Sequence, residues 1–317
     1  MATSRWLRLA TVLPALAGLS LTACTTTEVS KTAASEPSSQ PRHTLAAPPE
    51  ECIDAAGATR ASVDGTPVWA RFCPGPEGRT APAEVPSDAL TSHLELVSDL
   101  VDLDDDSGPA RKQCGFWGRT YRVQIGYSDG RVASIEGHTD PACVGRLATG
   151  GLVRGPESLG VYGAFMTAFG RQYADGFDHT STSTPLQCPL DPRKPDSVDV
   201  DGPSASLDTG FHLGHRDPMV MPLTAVRGIV CTWQYEARGE PPDIRDLTPE
   251  QAERVRIGMH AIAGGTVDCG ESPRPTYTAV VEDQTGTRRA VTVVDSFCST
   301  VTRSDGGGGL GFAWLDR

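Results

Sequence analysis

The stretch CGESPRPTYTAVVEDQTGTRRAVTVVDSFC, residues 269–298, decides how the rest of the chain is read. Its two apolar runs are Tyr277-Thr278-Ala279-Val280-Val281 and Val291-Thr292-Val293-Val294, and Gln284-Thr285-Gly286 lies between them. Period-2 alternation on both sides of a Gly-containing turn predicts a β-hairpin. Cys269 and Cys298 bound it, 29 positions apart. The same frame occurs earlier, from Cys114 to Cys143, again with a separation of 29. There Tyr121, Val123, Ile125 and Tyr127 alternate, Asp129-Gly130 turns, and Val132 and Ile135 return.

The repeat extends upstream. Cys73 ends the apolar run Val68-Trp69-Ala70-Arg71-Phe72, and Cys231 follows Val226-Arg227-Gly228-Ile229-Val230. Cys52 and Cys188 open the two copies. Between Cys73 and Cys114, Leu90, Leu94, Val97 and Val101 fall at i, i+4, i+7 and i+11, which predicts a helix over 87–103. Between Cys231 and Cys269, Thr248, Pro249 and Gln251 form a capping signature ahead of Ala252, Val255, Met259 and Ile262. A further helix over 156–174 places Leu159, Tyr162, Met166, Phe169 and Tyr173 on one face. It has no counterpart after Cys298, which puts it between the two copies. The expected fold class is α+β, with two tandem disulfide-stabilised modules, each of strands, helix and β-hairpin. The expected boundaries are 1–23 for an export signal, 24–50 for a tether, 51–178 for module 1, 179–187 for a linker and 188–317 for module 2.

Nine cysteines become eight once Cys24 is set aside, four per copy, and an even number in an exported chain reads as disulfides. The expected pairs are Cys52–Cys73, Cys114–Cys143, Cys188–Cys231 and Cys269–Cys298. The alternative joins the strand cysteine to the hairpin entry in each module. A bridge closing some thirty residues contributes roughly 3–4 kcal/mol in the chain-entropy model. None has the CxxC spacing of a zinc or redox centre.

At the N-terminus, Arg5 and Arg8 precede an apolar run too short to span a bilayer as a stable helix, and the run ends Leu21-Thr22-Ala23-Cys24. Small residues before a cysteine at this point resemble the lipobox of bacterial lipoproteins. The resemblance implies cleavage before Cys24, acylation of its thiol and new amine, and anchoring on the extracytoplasmic face of the cell membrane. Residues 25–50 are Thr, Ser, Ala, Pro and charge, the composition of a tether that cannot bury enough apolar surface to order itself. Without the first 23 residues the chain carries 26 basic and 40 acidic side chains. That balance argues against a nucleic-acid partner.

The chemistry-bearing patterns are few. The acidic run at 102–106 has the density of a calcium loop, but Ser107 and Gln113 stand where such a loop needs Gly and Glu. His212 and His215, with Asp217 close by, have a ligand-like spacing, yet Gly214 and the nearby prolines predict a loop without a third ligand. His138, in a hairpin return strand, reads as a surface residue. The glycine run 306–309 lacks the Lys-Ser/Thr of a phosphate loop and reads as a flexible connector. No Gly-x-Ser-x-Gly or His-Glu-x-x-His occurs, and no cofactor is expected. Trp69, Trp233 and Tyr121 read as core aromatics. Phe116 and Trp117, beside Gly118, read as an exposed contact site for a protein or small-molecule ligand.

Residues 72–78 (FCPGPEG), a following helix and a cysteine-bounded hairpin resemble the subtilisin-inhibitor-like family of exported protease inhibitors. That likeness covers about 75 residues of module 1 and implies an inhibitory bond at Phe116–Trp117. The chain departs from the family in lacking a cysteine over 87–103 and in having Gly115 where a rigid proline is usual. The expected function is a non-catalytic binding or interaction role at the cell envelope. The alternatives are a serine-protease inhibitor and, after it, an extracytoplasmic enzyme without a recognisable motif.

Overall fold

The chain folds around two antiparallel sheets, each begun by a strand that ends in or carries a bridged cysteine. The computed structural model describes residues 47–73, 84–103, 118–180, 184–207, 209–212, 215–234, 241–262, 276–295, 300–310 and 312. All of them belong to one compact unit. In the first half, β1 (Pro67–Cys73) is followed by two short strands, β2 (Val85–Pro86) and β3 (Ala89–Leu90), and by α1 (Glu95–Ser98) and β4 (Val101–Leu103). Then come β5 (Thr120–Tyr127), β6 (Val132–His138), β7 (Gly145–Leu147), β8 (Leu152–Arg154) and α2 (Gly160–Ala174). The second half holds β9 (Gly210–His212), β10 (His215–Asp217), β11 (Ala225–Trp233), β12 (Asp243–Leu247) and α3 (Pro249–Ala261). It ends with β13 (Thr276–Asp283), β14 (Arg288–Val294), β15 (Thr300–Arg303) and β16 (Gly308–Leu310).

The larger sheet runs β3-β1-β5-β6-β7-β8-β4 and the second runs β12-β11-β13-β14-β15-β16. In both, the first long strand pairs with the first arm of a hairpin, and that hairpin continues into a meander. Each first strand slips register near its start, between Pro67 and Trp69 in β1 and between Ala225 and Arg227 in β11. Gly130 and Gly286 take positive φ at the two hairpin turns, a conformation that costs glycine nothing. At Gly126 in β5 a Cβ would fall 2.1 Å from the Trp69 indole, so only glycine lets that ring lie flat across the strand.

The expected helix over 87–103 is a correction. Ala89 and Leu90 pair with Arg71 and Ala70 of β1, and only one turn of helix forms, at α1. The cause is local competition for the backbone. The Gln172 side-chain oxygen accepts the N–H groups of Thr91 and Ser92, and His93 sits at φ 54, which no helix allows. The apolar spacing therefore serves separate elements: Leu90 and Val97 are buried, while Val101 is exposed.

Helix α2 is buried along 160–170 on all sides, not on one face, because it is covered twice. Phe169 stacks on Phe72 of the larger sheet, Phe165 meets the same ring edge-on, and Tyr162 meets Tyr121. On its other side α2 packs against α3, which lies on β11 and β13. The order of layers is sheet, helix, helix, sheet, over one contiguous apolar cluster that includes Val123, Phe169, Val255 and Val281. The halves also interlock: β2, from the first half, pairs with β9 of the second.

Both outer sheet faces are covered by the segment preceding the first strand. Residue Ile53 exchanges both backbone hydrogen bonds with the Gln124 side chain on β5. On the second sheet, Leu186, Cys188 and Val198 cover Ile229, Val280 and Ala290. Among the described residues no helix is long and apolar enough to cross a membrane.

Candidate functional site

Disulfides tie each covering segment to its sheet. Cys52 is bonded to Cys73 and Cys188 to Cys231, both with Cα atoms 5.9 Å apart. Cys143 is disulfide-bonded as well. Cys24, Cys114, Cys269, Cys298, Phe116 and Trp117 lie outside the described residues. His212 and His215 occupy strands, not a loop, as register partners across β9 and β10. His138 is half-buried at the end of β6, and burial pushes its imidazole pKa down. Asp102 accepts the Val63 N–H through both carboxylate oxygens, so this end of the acidic run is a backbone clasp. The glycine run is also corrected: Gly306 turns the chain at positive φ and 308–310 form β16. Among the described residues no group of three or more His, Cys, Asp or Glu side chains could hold a metal ion.

The polar centre of the molecule lies between the helices and was not foreseen. Glu84, just before β2, is buried where the two halves meet. Its Oε1 accepts the Val220 N–H at 2.9 Å and its Oε2 accepts Arg303 Nη1 at 3.0 Å. His260 Nδ1 lies 3.2 Å from Oε1, an ion-pair distance, and its Nε2 is 2.9 Å from the Met221 carbonyl. The Glu84 backbone is held too, its N–H donating to the His260 carbonyl and its C=O accepting the Tyr162 hydroxyl. Burial alone would raise the Glu84 pKa, but His260, Arg303 and the Val220 N–H hold it down to about 2.

A second buried pair stands one turn away on α3. Arg256, fully buried, donates two hydrogen bonds to Glu253, at 2.8 and 2.7 Å. Its remaining donors reach the Met221 carbonyl at 3.1 Å and the Met166 carbonyl of α2 at 2.7 Å. Glu253 also accepts the Ala225 N–H at 2.9 Å. Buried charges survive only when paired and hydrogen-bonded, and these are. Their carboxylate oxygens already hold protein donors, so the arrangement joins α2, α3, β15 and the 219–225 segment. In α3 the signal was present as the polar spacing Glu253, Arg256 and His260. That stripe reads as solvated until α2 is placed against it.

Comparison with protein-family models, with curated proteins and with solved structures finds no match for the chain.

Proposed function

We propose that this is an exported, lipid-anchored protein of the cell envelope that acts by binding, without catalysis. The observation that carries the reading is the N-terminal order of Arg5 and Arg8, an apolar run, and Leu21-Thr22-Ala23-Cys24. Cleavage before Cys24 and acylation of that residue leave a tether and then the folded unit. Disulfides in the described residues fit an oxidising compartment outside the cytoplasm. The Glu84 and Glu253 carboxylates favour a binding role, because their oxygens already hold donors that join elements of the fold. Within that reading the folded part is a tandem pair of modules derived from one unit. The matched strand orders, matched register slips and matched cysteine-bearing first strands support this. Phe116 and Trp117 are the proposed contact residues for a protein or small-molecule ligand.

Metabolic labelling with a fatty acid tests the anchor. The wild type is expected to take up label and Cys24→Ala to lose it; an unlabelled, fully secreted wild type contradicts the proposal. Titration against subtilisin-like and chymotrypsin-like proteases is expected to leave their activity intact. Full inhibition near one equivalent, lost in Phe116→Gly, would replace the binding role with that of a protease inhibitor.

A further inference from the structure

Residues 188–204 form a strap across the outer face of the second sheet, anchored at both ends. Cys188 is bonded to Cys231 of β11. At the far end Ser204 donates to the Asp283 carboxylate, and Gly202 N–H donates to Thr287 Oγ1. Between these anchors the strap pairs with the start of β14, an inner strand, through a two-way bridge, Val200 with Arg288, reinforced by Arg289 donating to the Val200 carbonyl and to Asp201. Beneath lie Ile229, Val280 and Ala290, with Val198 of the strap packed on them.

Asp199 sits next to that bridge with one carboxylate oxygen, Oδ1, buried and without a hydrogen-bond partner. An ionised carboxylate asks for several donors, so an orphan oxygen at this point penalises the charged form. The charged and polar groups around it come from each neighbouring element. They are Asp196 on the strap itself, Arg289 on β14, and Ser304 and Asp305 following β15. We infer that Asp199 is a proton-operated clasp: protonated, it holds the middle of the strap on the second sheet, and ionised, it loosens it.

The electrostatics agree in sign. Burial, the largest influence, raises the Asp199 carboxyl to about 6 from an ordinary 3.8; Ser304 and Arg289 oppose the rise, and Asp305 and Asp196 add to it. A carboxyl that binds its proton more tightly in the strapped form favours that form at low pH. The preference fades as pH rises from about 4 and is gone above about 6.

Hydrogen exchange of the full mature chain at pH 5 and pH 8, corrected for the intrinsic rate, tests this. Peptides spanning 188–204 are expected to lose roughly tenfold in protection at pH 8, about one pKa unit after allowing for solvent screening of a partly exposed group. Asp199→Asn, which mimics the protonated carboxyl, is expected to show pH 5-like protection at both values. Peptides of β13 serve as the control for an intact fold. Equal strap protection at the two pH values in the wild type would overturn the inference. So would an Asn variant, folded by the β13 control, that keeps the wild-type pH dependence.

Discussion

Glu84 shows how much one side chain can connect. Groups from α2, α3, β15 and the loop at Val220 converge on it, by backbone and by carboxylate. Replacing Glu84 by Ala leaves Arg303 with the Asp305 carboxylate and the Met259 carbonyl as partners, and the Val220 N–H without the acceptor it has in Glu84. Removal of one partner from a buried ion pair costs about 3–5 kcal/mol, so Glu84→Ala is expected to lower the unfolding free energy by that amount in a denaturant titration. The same group sets acid tolerance. Its folded pKa, about 2, lies below the ordinary 4.5, so its contribution is complete above about pH 4.5. It is lost as pH falls through about 2, and Glu84→Gln is expected to flatten that limb of the stability curve. Gly126 is the steric counterpart. With the Trp69 ring 2.1 Å from a Cβ placed there, Gly126→Ala is expected to destabilise by about 1–3 kcal/mol, the range for overpacking. Loss of no stability in that variant would show that Trp69 moves freely.

At the scale of elements, α3 starts where its sequence says it should. Thr248 accepts from the Gln251 N–H and Gln251 reaches back to the Thr248 N–H, with Pro249 in the first turn. Thr248→Ala is expected to cost about 1 kcal/mol by thermal unfolding, and an unchanged melting temperature would mean the cap is dispensable. The caps and the hairpins were legible because both are local: Thr248 to Gln251, and the alternation of 121–127 and 277–281, need nothing distant to take shape. The 87–103 segment was misread for the opposite reason. Its apolar spacing is helical, but Gln172 on α2 and β1 take its backbone, and no window around Leu90 contains either. Helix α2 was placed between the halves from the absence of a counterpart, yet its all-round burial depended on α3. The polar cluster was the least legible part. Glu84, His260 and Arg303 lie far apart in the chain, and each alone reads as a surface charge.

For the whole molecule, the shared apolar cluster and the β2–β9 pairing make the two halves one folded body. Cysteine pairing is nonetheless expected to stay within halves, since each observed bridge joins a covering segment to its own sheet. Peptide mapping without reduction should yield Cys114–Cys143 and Cys269–Cys298, and a Cys73–Cys231 peptide would refute it. The interlock itself is open to a direct measurement, calorimetric unfolding of the folded chain with its disulfides intact. One transition is expected, with calorimetric and van't Hoff enthalpies equal, moved to lower temperature as a whole by Glu84→Ala. Two separable transitions in the wild type, with Glu84→Ala shifting one and leaving the other, would contradict a single body held at Glu84.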